Sequence, residues 1–263
     1  MIDKNRLRQE ILDHLKLYQE LGVRWLSIGE TSKHKRELQQ PREKAHAASA
    51  PSQPRKPVQK TMAAISVFGV ASSKRESLED IWAEVKDCRR CKLAANRRNV
   101  VFGSGNPHAE LMFIGEAPGS EEDEQGQPFV GRAGQLLTRI IEAIGMKRAQ
   151  VYICNIIKCR PPGNRNPEPD EISACEPFVF RQIAAVRPKV ICALGAIGAQ
   201  TLLRTTETIG RLRGQVFDCQ GAKLIATYHP AYLLRNPYEK RKVWEDMLLV
   251  KDCLRSLRAI KNP

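Results

Sequence analysis

The sequence predicts an α/β protein whose mostly parallel sheet is covered by helices on both faces. Short apolar runs typical of buried strands alternate along the chain with stretches that place apolar residues at helical spacing. Alternating strands and helices of this kind build a parallel sheet between two layers of helices. In such folds ligands bind beyond the carboxyl ends of the strands, so the loops that follow the apolar runs are the first place to look for a site.

The first 76 residues carry weaker structural signals than the rest of the chain. Residues 1–28 predict an amphipathic helix, with apolar groups at Leu7, Ile11, Leu15, Tyr18 and Leu21. We expect this helix to pack on its own domain or to be partly ordered, and a partner-binding tag is the alternative. Residues 29–76 are rich in Lys, Arg, Gln, Ser, Ala and Pro, which predicts a disordered basic linker.

Residues 77–263 are predicted to form the folded domain. Ser77, with Asp80 three residues on, is a candidate N-cap of a short helix that leads toward Cys88. The predicted strands are Leu111–Ile114, Val151–Ile157, Val190–Leu194 and Leu224–Thr227. The predicted helices between and after them are Ala133–Ile144, Asp170–Ala185, Ala196–Leu203 and Tyr238–Ile260.

Composition and charge narrow the class of protein. The chain has 43 Lys and Arg against 29 Asp and Glu, and this net charge of +14 favours a polyanionic partner, with a solvated basic surface as the alternative. No apolar run is long enough to span a membrane, and the first residues lack the apolar stretch of a signal peptide. We therefore expect a cytoplasmic protein with no membrane contact, whose eight cysteines are not structural disulfides.

Four of the cysteines are candidate metal ligands. Cys88 and Cys91 form a C-x2-C pair, and Cys159 and Cys175 lie at the end of a predicted strand and inside the next helix. The spacing is too dispersed for a zinc ribbon, and by itself it leaves zinc and a 4Fe-4S cluster both open. The remaining cysteines are predicted core residues: Cys154, Cys192, Cys219 and Cys253.

Three longer motifs lie at the ends of the predicted strands and in the loops that follow them. They read GEAPGSEEDEQGQPFVGRAGQLL at residues 115–137, NIIKCRPPGNRNP at 155–167 and HPAYLLR at 229–235. Together with the four cysteines they resemble the motifs of the family 4 uracil-DNA glycosylases, the iron–sulfur type of bacteria and archaea. The resemblance covers about residues 78–254 and implies a three-layer α/β/α fold with a central four-stranded parallel sheet. It also implies a 4Fe-4S cluster held by Cys88, Cys91, Cys159 and Cys175.

The resemblance assigns three residues to the uracil base. A glycosylase must extrude its target nucleotide from the duplex into a pocket. By resemblance, Phe129 stacks on the flipped uracil. The Asn155 amide donates to uracil O4 and accepts from uracil N3–H, and cytosine presents the reverse pattern of donor and acceptor at these two positions. His229 is expected near O2, where its imidazole stabilises the anion that develops as the bond breaks.

The sugar side of the reaction calls for a carboxylate or an oriented water. Glu116 is the leading candidate and Glu122 the second. Other branches of the superfamily carry Asp or Asn one residue on, where this chain has Ala117 beside the substrate. Asn164 is the further candidate for positioning the water or a phosphate.

The third motif is expected to face the DNA. Leu233 and Tyr232 suit an apolar wedge that enters the minor groove and fills the space left by the flipped base. Basic residues around the strand ends are expected to contact phosphates: Arg160, Arg165, Arg213 and Arg235.

The function predicted on these grounds is that of a monofunctional uracil-DNA glycosylase, acting as a monomer on single- or double-stranded DNA that contains uracil and starting base excision repair. The alternative is a non-catalytic iron–sulfur or zinc DNA-binding module associated with a polymerase. The joint presence of Glu116, Phe129, Asn155 and His229 favours the enzyme.

Overall fold

The computed structural model describes residues 76–259, together with Arg8, Leu12 and Leu15. Those three residues are helical and their side chains are exposed. The remainder of the predicted N-terminal helix and the predicted linker, apart from Glu76, lie outside the described residues. No helix in the described part of the chain is long and apolar enough to cross a membrane.

The described chain forms one six-stranded sheet. Its strands are β1 Ser104–Gly105, β2 Leu111–Gly115, β3 Tyr152–Asn155, β4 Val190–Leu194, β5 Val216–Cys219 and β6 Ala222–Thr227. The spatial order is β1-β3-β2-β4-β6-β5, and the four central strands are parallel.

The predicted four-stranded parallel sheet is therefore confirmed as the centre of the sheet, and its strand count is corrected. Two short edge strands, β1 and β5, extend it by antiparallel pairing. Neither edge strand shows an apolar pattern in the sequence, because β1 has only two residues and β5 has only one buried residue. The predicted strand at residues 151–157 is shorter than expected and ends at Asn155.

Eight α-helices are described. They are α1 Leu78–Val85, α2 Ser120–Gln125, α3 Arg132–Ala143, α4 Pro169–Val186, α5 Ala196–Leu203, α6 Ile209–Leu212, α7 Pro230–Arg235 and α8 Lys240–Ala259. The predicted cap of α1 is present, since Ser77 Oγ accepts from Asp80 N at 3.2 Å and Ser77 N donates to Asp80 Oδ2 at 2.9 Å. The short helices α2, α6 and α7 were not predicted, because four to six residues carry too little periodicity.

Two apolar clusters cover the two faces of the sheet, which confirms the three-layer arrangement. In β4, Ile191 and Ala193 pack into the cluster that includes α1, α4 and α5, while Val190 and Cys192 pack into the cluster that includes α3 and α8. All five residues of β4 are buried, as expected for a central parallel strand covered on both faces.

The fold brings the carboxyl ends of the parallel strands to one edge. Gly115 at the end of β2 pairs with Asn155 at the end of β3, and β6 ends two residues before His229. The strand order changes direction at β2, with β3 on one side of it and β4 on the other. Ligands in open α/β sheets bind at such a point.

Candidate active site

A cleft of about 400 Å³ opens at this edge of the sheet. It is lined by eight of the nine residues predicted for catalysis or substrate binding: Glu116, Ala117, Glu122, Phe129, Asn155, Asn164, His229 and Arg235. Leu233 is the ninth, and it does not line the cleft. The loops after β2, β3 and β6 thus bring three motifs that are distant in sequence into one site.

Asn155 lies at the base of this cleft with only 1% of its surface exposed. Its Oδ1 atom is buried and has no hydrogen-bond partner among the described residues. Gly115 permits this placement, because a Cβ on Gly115 would lie 2.4 Å from Asn155 Oδ1 and 2.6 Å from Phe129 Cζ. A buried acceptor without a donor costs about 1–3 kcal/mol, so this cleft is suited to a ligand that supplies an N–H group.

Phe129 covers the cleft from the loop between α2 and α3. Its φ angle is 54°, which is uncommon for a bulky residue and marks a conformation that the surroundings must hold. Gly134 fits under this turn, because a Cβ there would lie 1.8 Å from Phe129 O. The Phe129 and His229 rings face each other with centroids 5.5 Å apart.

Glu122 holds the same loop, and this changes its predicted role. Its Oε1 accepts from Val130 N at 2.9 Å and Gly131 N at 3.1 Å, while Oε2 accepts from Gly119 N at 3.1 Å. Both carboxylate oxygens are thus engaged by backbone donors. Glu122 therefore positions this loop, and its place as the second candidate for water activation stays a prediction.

His229 is the N-cap of α7, and its protonation follows from its contacts. Nδ1 accepts from Ala231 N at 3.2 Å, which places the proton of the neutral ring on Nε2. Burial lowers the pKa of His229 to about 4, Glu122 opposes that shift and Arg235 adds to it. At neutral pH the ring is therefore an uncharged hydrogen-bond donor through Nε2.

Glu116 is the first residue after β2 and is half-buried in the cleft. Burial raises the pKa of its carboxyl above the usual value. Ala117 beside it has no polar atom in its side chain, so Glu116 is the one acidic side chain in the first two residues after β2. On the opposite wall, Asn164 is exposed and its Oδ1 accepts from Arg160 Nε at 2.7 Å.

Three residues predicted to contact DNA are engaged within the fold. Leu233 is 1% exposed and packs in the core beneath α7, so it would have to leave the core to act as the predicted wedge. Arg213 binds the fully buried Asp246, with Nη2 3.0 Å from Oδ1, and Arg165 forms a two-point pair with the buried Glu171. Both arginines are occupied within the fold, whereas Arg235 is exposed at the cleft.

The four predicted cluster ligands line a single second pocket: Cys88, Cys91, Cys159 and Cys175. N–H donors already point at two of the sulfurs, with Arg97 Nη1 3.3 Å from Cys159 Sγ and Lys158 N 3.3 Å from Cys175 Sγ. Over residues 76–259 no three His, Cys, Asp or Glu side chains reach ligating geometry by themselves. Of the other cysteines, Cys154, Cys192 and Cys219 are buried as predicted and Cys253 is half-buried.

Comparisons with known proteins match these features. The family model of the uracil DNA glycosylase superfamily matches residues 102–248, which include every residue of the cleft. A type-4 uracil-DNA glycosylase of Saccharolobus solfataricus is 47% identical over 190 residues, covering 69% of this chain and 88% of that protein. The chain belongs to the type-4 uracil-DNA glycosylase family.

Two further relatives support this family assignment. The type-4 uracil-DNA glycosylase of Thermotoga maritima is 46% identical over 186 residues, covering 69% of this chain and 97% of that protein. That of Archaeoglobus fulgidus is 44% identical over 179 residues, covering 65% of this chain and 90% of that protein. The predicted resemblance to family 4 is therefore confirmed.

Two residues of this type-4 family member contribute to the site without having been predicted. Gly115 gives Asn155 and Phe129 their space, and its position directly after a strand was the available signal. Lys158 is 1% exposed, and its Nζ donates to Asn155 O at 2.7 Å and to Gln182 Oε1 at 2.5 Å. Since its backbone N contacts Cys175 Sγ, Lys158 joins the cysteine pocket to the strand end that carries Asn155.

Proposed function

We propose that this type-4 family member is a monofunctional uracil-DNA glycosylase, which hydrolyses the N-glycosidic bond of deoxyuridine in DNA and leaves an abasic site. The observation that carries the proposal is the buried Asn155 Oδ1, which lacks a donor among the described residues and lines a cleft with Phe129 and His229. Uracil N3–H supplies such a donor, whereas cytosine N3 is an acceptor. The wrong base would therefore leave buried polar atoms unpaired.

The groups of the cleft fit the steps of base recognition. The target nucleotide leaves the base stack and enters the cleft, where its ring lies against Phe129. The amide of Asn155 then accepts from N3–H and donates to O4. Because Glu122 and Gly134 hold the Phe129 loop in one conformation, the pocket requires little rearrangement to receive the base.

The remaining groups fit bond cleavage. As the bond between C1′ and N1 breaks, its electron pair moves into the uracil ring, and Nε2–H of His229 stabilises the negative charge at O2. The Glu116 carboxylate faces the cationic sugar and orients the water that adds to C1′. That water loses one proton to Glu116 or to solvent and keeps the other as the hydroxyl on C1′, while the uracil anion takes up a proton from solvent, so neutral uracil and a 2-deoxyribose abasic site are the products. Asn164 at the cleft wall is suited to hold the water or a neighbouring phosphate.

The chemistry of the donor set fits a 4Fe-4S cluster at the cysteine pocket, and we include this cofactor in the proposal. Four cysteines face one pocket that is otherwise lined mostly by apolar and basic side chains, and two N–H groups point at the sulfurs, a pattern suited to anionic cluster thiolates. Cys88, Cys91, Cys159 and Cys175 would hold the cluster. Bound there, it supplies a structural link between distant segments and takes no part in hydrolysis.

Iron analysis tests the cofactor assignment. Protein purified without oxygen should be brown, with broad visible absorbance and about four irons per chain. Replacement of Cys175 by Ser should lower the iron content and the melting temperature, while Cys253→Ser, at a half-buried cysteine outside the pocket, should change neither. Colourless protein that contains zinc would overturn the iron–sulfur assignment.

Uracil release tests the enzyme against the alternative, a non-catalytic module associated with a polymerase. Full-length holoprotein should release free uracil from labelled DNA and leave alkali-sensitive abasic sites. The grouping of Glu116, Asn155 and His229 around one cleft supports the enzyme. Tight binding of uracil-containing DNA without release, by protein with its full iron content, would favour the module. The cytoplasmic location and the monomeric state stay predictions.

A further inference from the structure

A second groove, distinct from the uracil cleft, lies on the other side of the loop that carries Phe129. Its lining includes Trp82, Lys86, Arg97, Arg98, Phe102 and the turn at residues 126–127. These residues come from helix α1, the extended segment before β1 and the turn after α2. None of them belongs to the three motifs assigned to uracil recognition except the two residues of the turn.

The groove presents an aromatic surface. Trp82 is 41% exposed, which is unusual for a large apolar side chain in this domain. Its ring rests edge-on against Phe102, with centroids 5.5 Å apart and an interplanar angle of 60°. A partly exposed indole supported by a second ring is a suitable stacking platform for an unpaired nucleic acid base, because every base has a π face.

The groove is also basic. Lys86, Arg97 and Arg98 line it, and none of its lining residues is Asp or Glu. Arg97 is fixed by bonds from Nη1 to Cys88 O at 2.7 Å and to Cys159 Sγ. Arg98 pairs with Glu124 at 3.1 Å, but both side chains are exposed and such a pair contributes little, so its guanidinium remains available to a phosphate. Aromatic and basic groups in one groove are typical of sites that bind single-stranded nucleic acid.

The groove adjoins the uracil cleft through a single turn. Gln127 lines the groove and Phe129 lines the cleft, and two residues of chain span at most about 7 Å. We propose that this groove binds an unpaired stretch of the DNA strand outside the uracil nucleotide, with one base stacked on Trp82 and phosphates held by Lys86 and Arg98. That the bound strand is the substrate strand rests on the proposed glycosylase function.

Binding to oligothymidylate, which contains no uracil, tests the groove separately from the cleft. With full-length holoprotein and fluorescence anisotropy, Trp82→Ala should weaken binding by about 5- to 150-fold, the range for loss of one base stack. Trp82→Phe keeps an aromatic face and should stay within about 3-fold of the unmodified protein. Oligothymidylate should also quench tryptophan emission, and this quenching should be absent in Trp82→Phe, a readout that holds even if Trp82→Ala unfolds.

Salt dependence tests the phosphate contacts. Lys86→Gln should reduce the slope of log affinity against log salt by about 0.7, the value for one contact to a single strand. Lys147→Gln is the matched control, since Lys147 is exposed and precedes the amino end of β3, at the opposite edge of the sheet. An unchanged slope in Lys86→Gln would contradict the assigned contact.

Three results would overturn the proposal. The first is an unchanged oligothymidylate affinity in folded Trp82→Ala. The second is a loss of affinity for uracil-free duplex DNA in Trp82→Ala that equals its loss for oligothymidylate. The third is that Trp82→Ala loses binding to an acidic peptide but keeps its binding to DNA. Failure of the groove and failure of the proposed function are distinguishable. Absence of uracil release would leave the oligothymidylate result intact, and uracil release by a protein whose Trp82 variants bind normally would leave the enzyme intact.

Discussion

Asn155 is the residue that we propose for base selection, and its surroundings hold it in place for that role. A side-chain amide exposes both a donor and an acceptor, so its discrimination depends on being held in one orientation. Lys158 Nζ binds the backbone oxygen of Asn155, and Gly115 leaves room for the amide oxygen to face the cleft. Selection for uracil therefore depends on residues that never touch the base.

Asn155→Asp tests this selection. A carboxylate cannot donate to uracil O4 and places a charge in a buried site, so kcat/KM for uracil release should fall by about 100-fold or more. Asn106→Asp is the control, because Asn106 follows β1 near Val151 and its Oδ1 keeps its bond to His108 N. Unchanged kinetics on uracil and cytosine substrates in Asn155→Asp would contradict the role.

Glu116 should set the acid limb of the pH profile. In the proposed mechanism its active form is the carboxylate, and burial raises its pKa above the usual value, so activity should fall as pH decreases through that raised pKa. Burial lowers the pKa of His229 to about 4, so the imidazole is neutral at neutral pH and gains charge only under acidic conditions. The acid limb is measured as the single-turnover rate constant for uracil release against pH.

The matching variant is Glu116→Gln. It should lower kcat by about 100- to 10,000-fold and remove the acid limb, because no carboxylate remains to be protonated. If Glu116→Gln keeps the acid limb of the unmodified protein, a group other than Glu116 causes that limb.

At the scale of elements, the loop between α2 and α3 determines the shape of the cleft. Glu122 holds its backbone, Gly134 fits beneath Phe129 O, and Arg148 Nη2 donates to Pro128 O at 2.7 Å. The hydrogen bonds made by Glu122 and Arg148 join residues 8 and 20 positions apart, so the local sequence of the loop does not reveal them. The same loop separates the uracil cleft from the groove at Trp82.

Gly115→Ala tests the close packing at the end of β2. The added Cβ would lie 2.4 Å from Asn155 Oδ1 and 2.6 Å from Phe129 Cζ, so both side chains must shift out of position. We expect a folded protein whose kcat/KM for uracil release is reduced by about 100-fold, in line with displacement of positioned groups by 1 Å. Gly210→Ala is the control, since a Cβ there meets nothing within 4 Å. Equal activity of the two variants would show that the space at Gly115 is not required.

At the scale of the whole molecule, the sheet and the cleft follow from the sequence to different degrees. The four parallel strands could be predicted because nearly all their residues are buried and most of each strand is a short apolar run. Edge strands β1 and β5 could not, since pairing by backbone bonds alone requires no apolar pattern.

The residues of the cleft could be predicted from the motifs, whereas the partners that some of these residues have inside the fold could not. Leu233 lies in a motif with exposed neighbours, but the turn of α7 directs it into the core. Arg213 looks available in sequence, and its buried partner Asp246 lies 33 residues away. Glu122 was assigned to chemistry because its three backbone partners are formed only in the folded loop. Long-range polar pairing of this kind leaves no local pattern in the sequence.

The most direct test of the central claim compares the bases released from two otherwise identical oligonucleotides. Full-length holoprotein is mixed in excess with single-stranded DNA that carries either uracil or cytosine at one position, and the free base is quantified by mass spectrometry. We expect release of free uracil with formation of an abasic site, and no detectable cytosine. Bound but uncleaved uracil DNA, or release of both bases at similar rates, would contradict it.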